Sequence, residues 1–371
     1  MTKEGAVVTF VKVSTLVNGV LTFVTGATMN DILSERSRQI LEAIIDDYIR
    51  TAEPVGSRTV TRRHSLTLSP ATVRNVMSDL EEMGFLSSPH TSAGRVPTDK
   101  AFRFYVDSLL QVRAITEGQQ EEIRRQYRVH SRDVGEILKE TSRILSSISN
   151  YIGIVIAPRF AANVFRQVEF VKLCGTRILV ILVSESGIVQ NRIIEAEDDY
   201  SAEDLVRMSN YLNELLHGLT ISEVKARIIS EMADEKVRYD KLMSRALRLS
   251  EVTLEESAAE VFIEGQVNIL EQPEFADVEK MKDIFRAFEE KSQLITLLDR
   301  CMDAERVNIF IGAENFLSRM NQMSVVTAPY ASGPNTIGVL GVIGPTRMGY
   351  DKVIPIVDYT ARILSELLGR E

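Results

Sequence analysis

A chain that reads helix, helix, helix and hairpin, and then moves between strand-rich and helix-rich stretches, predicts an α+β protein with a winged helix-turn-helix at its N-terminal end. Three observations carry this. Apolar residues recur at helical spacing from Ser34 to Arg50 and again after Ser69, with capping residues at the starts and breakers at the ends. Two short strand-like pieces, "FLSS" and "GRVP", flank the loop "PHTSA" directly after the third helix. Runs such as "YIGIVIA", "FRQVEFVKL", "RILVILVS" and "GIVQNRIIEA" then alternate in the manner of strands, and "RVNIFIG", "SVVTAPY" and "TIGVLGVIGP" repeat the pattern near the end.

The first helix places Ile40, Leu41, Ile44, Ile45, Tyr48 and Ile49 on one stripe and stops at "AEPVGS", where Pro54 and Gly56 break it. A short second helix runs from Ser57 to about His64. Ser69 caps the third helix, and Pro70 occupies its first position, where a missing N–H costs nothing. Val73, Val76, Met77, Leu80 and Met83 form its inner face, and Gly84 suits a left-handed C-terminal residue. Thr98 starts a fourth helix with Phe102, Tyr105, Val106, Leu109 and Leu110 turned inward. One long amphipathic helix is expected from Glu117 to Asn150, serving core or dimer packing, and a charged helical stretch from Ala202 to Leu249. The segment "EVFIEGQVNIL" reads as strand or helix. The final helix spans about Asp351 to Leu368, and the two strands and helix that close the chain are similar to the end of a GAF domain.

Composition narrows the function classes. With 371 residues, 44% hydrophobic and 26% charged, the chain has material for two or three globular domains. Net charge is −9, yet seven cations face four anions between Arg58 and Arg103, a local positive excess in an acidic protein. Cys174 and Cys301 are too few for a disulfide framework and read as inert thiols of a reducing, cytoplasmic compartment. The apolar stretch Val7 to Val24 is interrupted by Lys12, Ser14, Thr15 and Asn18, too broken for a membrane helix or a secretory signal. Residues 1–28 are therefore expected to be an extension outside the fold.

Catalytic chemistry finds no foothold. His64, His90, His130 and His217 stand far apart and never pair with cysteine at metal-ligand spacing. Gly338, Gly341 and Gly344 are spaced GxxGxxG, unlike a dinucleotide loop, and read as glycines of a packed strand. No enzyme activity, metal or cofactor is expected. The third helix instead exposes Thr72, Arg74, Asn75 and Ser78, hydrogen-bonding types that read base edges in a major groove. Backbone contacts are expected from Ser57, Arg58, Arg62, Arg63 and Ser69, and wing contacts from His90, Thr91, Ser92 and Arg95. The expected partner is duplex DNA, with no role for a membrane.

The stretches "SERSRQILEAIIDDYI", "EPVGSRTV", "LSPATVRNVMSDLEEMGFL" and "SSPHTSAGRVPTDKAFRFYVD" strongly resemble the N-terminal part of the HrcA family of bacterial heat-inducible repressors. The likeness continues through "EQPEF", Glu271 to Phe275, and "GVLGVIGPTRMGYDKVIPIVDY", and covers nearly everything from about Met29 onward. It implies an N-terminal winged helix-turn-helix over 29–110, a GAF-like domain over 111–162 and 273–371, and an inserted dimerisation domain over 163–272. It further implies a homodimer that binds an inverted-repeat operator of chaperone operons, is relieved on heat stress, and is promoted to its active form by the GroE chaperonin. The alternative is a GAF-based ligand-sensing transcription regulator.

Overall fold

The computed structural model describes residues 12–17, 20–24, 33–64, 68–89, 94–110, 112–127, 134–157, 164–185, 189–196, 198–220, 223–224, 227–228, 260–275, 278–289, 291–302, 304, 306–315, 320–332 and 335–369. Two N-terminal strands, β1 (Lys12–Val17) and β2 (Val20–Val24), form an antiparallel hairpin. The winged helix follows as α1 (Glu35–Thr51), α2 (Ser57–Arg63), α3 (Pro70–Glu82), β3 (Leu86–Ser87), β4 (Val96–Pro97) and α4 (Asp99–Phe104). A π-helical turn, Tyr105–Leu109, carries the chain out of α4 to β5 (Val112–Arg113), α5 (Glu117–Tyr127) and α6 (Val134–Ser149). Strands β6 (Ile152–Ile156), β7 (Phe165–Cys174), β8 (Arg177–Ser184) and β9 (Val189–Glu195) come next, then α7 (Ala202–Leu216) and β10 (Val261–Glu264). The C-terminal part holds α8 (Val278–Glu289), α9 (Lys291–Asp299), β11 (Asn308–Ile311), β12 (Met323–Ser332), β13 (Asn335–Pro345) and α10 (Tyr350–Leu368).

The body is a five-stranded sheet in the order β10-β6-β13-β12-β11, antiparallel throughout. Numbered within the sheet, that order is 2-1-5-4-3. Alternation along the strands fills both faces. Val155, Ile309, Ile311, Val326, Leu340 and Val342 join one core with α6, α10 and the winged helix. Ile154, Ile156, Phe310, Val325, Val339 and Ile343 join a second core with α8 and α9. The glycine spacing of β13 is explained by packing: a Cβ on Gly338 would lie 2.3 Å from the Tyr330 hydroxyl, and one on Gly344 would lie 2.7 Å from the Tyr151 ring. Tyr330 itself donates to the Ile156 carbonyl at 2.6 Å across the buried sheet.

Between β6 and β10 the chain leaves the body to build a separate unit. Strands β7, β8 and β9 form an antiparallel sheet in that order, and α7 covers one face through a core of its own, with Val168, Phe170, Val180 and Leu182 against Leu205, Met208 and Leu212. The helix also serves the sheet edge, because Val168 and Phe170 donate their amides to Asn213 Oδ1 (2.7 Å) and Ser209 Oγ (3.1 Å).

Several expectations change. The segment expected as insertion up to residue 272 contains β10, which pairs with β6 in register Val261↔Ile156, so the insertion as a packing unit ends before Val261. "EVFIEGQVNIL" is both strand and helix: β10 gives way at Gly265 (φ +80) to a 3₁₀ turn over Gln266–Glu271. The single helix expected from Glu117 to Asn150 is described as two, with residues 128–133 outside the described residues. Of the helix expected to reach Leu249, α7 is helical and most of the remainder lies outside the described residues. Residues 1–28, expected outside the fold, contribute the β1–β2 hairpin, and β2 pairs with β5 through Leu21↔Val112. Cys301 is buried as expected of an inert thiol, whereas Cys174 is exposed.

Candidate nucleic-acid interface

The third helix is fixed at both ends. Ser69 adopts extended backbone, and its Oγ accepts from the Thr72 amide at 3.1 Å while lying 3.0 Å from the Thr72 hydroxyl. At the other end the Lys100 ammonium donates to the Met83 carbonyl at 2.8 Å and sits 4.5 Å from the centre of the Phe85 ring. Thr98 Oγ1 adds bonds to the carbonyls of Gly84 (2.8 Å) and Phe85 (3.1 Å). Val73, Met77 and Leu80 are buried, and Val76 packs partly against them. Met83, expected on this inner face, is 38% exposed, because the helix has ended at Glu82 and the chain turns away through Gly84 at φ +77.

This anchoring leaves one face of α3 open. Arg74, Asn75 and Ser78 are exposed and Thr72 is half-buried. Helical spacing puts Arg74 over Ser78 and Thr72 over Asn75, so the four form one polar patch near the helix N-terminus. Among the described residues, none pairs with the Arg74 guanidinium.

The other candidates divide. Arg58 and Arg62 are exposed one turn apart on α2. Ser57 is only 9% exposed at the start of α2, so the expected hydroxyl contact to a ligand has little surface to work from. Arg63 reaches back to Asp47 at 3.3 Å, and Arg50 (2.9 Å) and His64 (3.4 Å) approach the same carboxylate oxygen. Asp47 is 1% exposed and ties α2 to α1, a role that pattern reading missed because Arg63 and His64 reach it from another helix. His90, Thr91 and Ser92 lie outside the described residues.

Arg95 belongs to the base of the wing. Its amide and carbonyl exchange 2.9 Å hydrogen bonds with Val55, which adds a third segment beside β3 and β4. Gly94 permits that approach, since a Cβ there would fall 2.5 Å from the Val55 backbone. The Arg95 guanidinium meets Glu81 on α3 at 2.8 Å and Ser88 at 3.2 Å. Expected as a free cation at the wing tip, it braces the wing against the third helix.

Two family profiles align with this architecture. The one described as "Winged helix-turn-helix transcription repressor, HrcA DNA-binding" covers residues 32–108, and "HrcA protein C terminal domain" covers 135–354. The chain belongs to the HrcA family. A protein of Geobacter sulfurreducens named Heat-inducible transcription repressor HrcA is 66% identical over 343 residues, 92% of this chain and 100% of its own length. One of the same name from Syntrophobacter fumaroxidans is 47% identical over 339 residues, 91% of this chain and 97% of its own. A crystal structure titled as a hypothetical protein at 2.2 Å resolution superposes with a TM-score of 0.56 at 22% identity, covering 91% of this chain and 99% of that one, and supports the fold. HrcA proteins are transcription repressors with a winged-helix DNA-binding domain, and the residues matched to that domain include α3 and its open face. Among the described residues, no helix is long and apolar enough to cross a membrane.

Proposed function

We propose that this protein represses chaperone operons by binding an inverted-repeat operator as a homodimer, with an α3 helix from each subunit in successive major grooves. The observation that carries this is the polar patch of exposed Arg74, Asn75 and Ser78 with half-buried Thr72 on a helix capped at both ends. Arginine and asparagine make bidentate bonds to guanine and adenine edges, and a rigid helix holds them in register. Arg58 and Arg62 on α2 serve the phosphate backbone. A nucleoid-associated, cytoplasmic protein is the corresponding location.

The homodimer is supported by the inserted unit. The face of its sheet turned away from α7 carries Val171, Leu173 and Ile193, which are 40%, 44% and 52% exposed, and half-buried Leu179, Ile181 and Val183. Among the described residues nothing covers this apolar face, and a second copy would bury it. The ligand-sensing alternative draws no support from the central sheet, whose strands are packed on both faces.

Dependence on the GroE chaperonin has a topological rationale. Strand β6 ends at Ile156 and its neighbour β10 begins at Val261, so the central sheet closes only after the inserted unit has been made. Long-range closure slows folding and exposes apolar strands meanwhile. Heat then diverts the chaperonin to other clients, and repression is relieved.

The test combines sedimentation with DNA binding. Wild type should sediment as a dimer at micromolar concentration and prefer an inverted repeat to scrambled duplex. Ile193→Asp should give folded monomers that keep half-site binding and lose the inverted repeat. A monomeric wild type with full operator affinity would overturn the reading.

A further inference from the structure

Two segments that carry the family resemblance, "EQPEF" and "GPTRMGYD", meet at one side chain. Arg347, in the turn between β13 and α10, is 9% exposed. Its Nε and Nη2 hold both carboxylate oxygens of Glu274, Nη2 also donates to Gln272 Oε1 at 3.0 Å, and Nη1 donates to the Ile49 carbonyl at 3.1 Å. Ile49 belongs to the last turn of α1, in the winged helix. Its carbonyl has no helical partner, because the Glu53 amide that would continue the ladder donates to Thr51 Oγ1 at 3.3 Å. A guanidinium from the GAF-like domain thus caps the first helix of the DNA-binding domain, where the helix dipole favours a cation.

The position of this contact gives it leverage. The winged helix joins the body covalently through α4, whose Arg103 grips Glu314 with Nε and Nη2 and the Ile309 carbonyl at 2.7 Å, while Asp99 accepts from the Ala313 amide at 2.9 Å. The two domains also share an apolar core, in which the Phe102 and Tyr350 rings lie 6.4 Å apart, but such packing is less directional than an arginine fork. On the Arg347 side the two domains are parted by a cleft of about 750 Å³, lined by Asp46, His64, Asn150, Asp351, Ile49 and Gln272. The last two residues are partners of Arg347, so the arginine fork closes the edge of an otherwise open gap. A second planar, directional attachment, at the far edge of the junction, restrains the orientation more sharply than the shared core and the first fork alone.

We infer that Arg347 is a positioning residue that sets the angle of the winged helix on the body, and through it the half-site spacing that the dimer accepts. The inference rests on the proposed dimeric binding of an inverted repeat. With the fork lost, each winged helix still reads a half-site, but the second contact becomes a flexibly tethered one with a lower effective concentration.

The probes are an inverted-repeat duplex selected by the wild-type protein from a randomised library, a single half-site cut from it, and inverted repeats with the spacer lengthened or shortened. The main variant is R347M/E274L, in which apolar side chains replace a buried ion pair and the fold is kept. The milder Arg347→Lys removes the fork and keeps the charge. Wild type should show a sharp spacing optimum. R347M/E274L should keep half-site affinity within about twofold, lose about tenfold on the selected repeat, and show a flattened spacing profile, with Arg347→Lys between the two. A wild-type profile in both variants, or equal loss on half-site and repeat, would overturn the inference. A wild type indifferent to spacing would instead overturn the dimeric reading itself.

Discussion

Two groups of arginines in this protein share a guanidinium and little else. Arg58, Arg62 and Arg74 are exposed on the winged helix and hold no carboxylate among the described residues. Arg103 and Arg347 have side chains 11% exposed at the domain junction, and carboxylates and carbonyls surround them. A buried guanidinium persists only where the protein supplies its hydrogen-bond partners, so the second group is committed to the fold. The first group has left its donors unspent, and the partner it fits is an anion outside the molecule. Arg95 and Arg63 fall between, half-exposed and already leaning on Glu81 and Asp47.

The largest effect should come from the buried group. Arg103→Met leaves Glu314 without its fork and the buried Asp107 without its neighbour at 3.3 Å. Burial already raises the Asp107 carboxyl above its ordinary value, and Arg103 opposes that rise. Loss of a partner from such a cluster costs about 3–5 kcal/mol, nearer the lower figure here because Glu314 is partly exposed. Urea unfolding should show it as a lower midpoint, and a change below about 1 kcal/mol would remove the distinction between the two groups.

Next in size is base readout. Arg74→Ala should cost about 1–3 kcal/mol on an inverted-repeat operator and much less on scrambled duplex. Stability should change by less than about 0.5 kcal/mol, since the side chain is exposed. Equal losses on the two duplexes would move Arg74 to the phosphate-binding group.

The winged helix was legible before its structure because its signals are local. Ser69 and Pro70 announce the start of α3, and Arg74, Asn75 and Ser78 fall outside by helical periodicity alone. What escaped were contacts between distant segments. Arg63 meets Asp47 across 16 residues, and the Arg95 pairing with Glu81 needs the wing to fold back on the third helix. Periodicity sorts inside from outside and says nothing about which exposed cation has a neighbour. The same limit hid β10: "VFIE" is four residues long, and only pairing with a strand more than a hundred residues earlier shows that it belongs to the body. Met83 failed for a smaller reason, since a helical stripe was extended one residue past the helix end.

A third experiment separates free cations from braced ones. Arg62→Ala should weaken binding evenly across sequences and lower the slope of log affinity against log salt by about one. Arg95→Ala should leave that slope unchanged, because its guanidinium already neutralises Glu81, and cost at most about 1 kcal/mol of stability as a partly exposed pair. A slope change of similar size in both variants would place Arg95 on the phosphates after all.

The smallest effect approaches the comparison from the acid side. Asp46 lines the cleft near the junction, lacks an arginine fork, and accepts a hydrogen bond from the Tyr105 hydroxyl at 3.2 Å. Burial raises its carboxyl above the ordinary value, and the Tyr105 bond, His64 and Arg50 only partly offset this. The folded protein therefore takes up this proton at a higher pH than the unfolded chain does. Its contribution to stability is present in full below the ordinary carboxylate range and is lost as pH rises through the raised value. Asp46→Asn keeps an oxygen acceptor for Tyr105 and removes the titration. The difference in unfolding free energy between variant and wild type should thus favour the variant most above the raised value and shrink on acidification. A difference independent of pH would show that Asp46 pays no desolvation penalty, and that a half-buried carboxylate at this junction is as well neutralised as those in the arginine clamps.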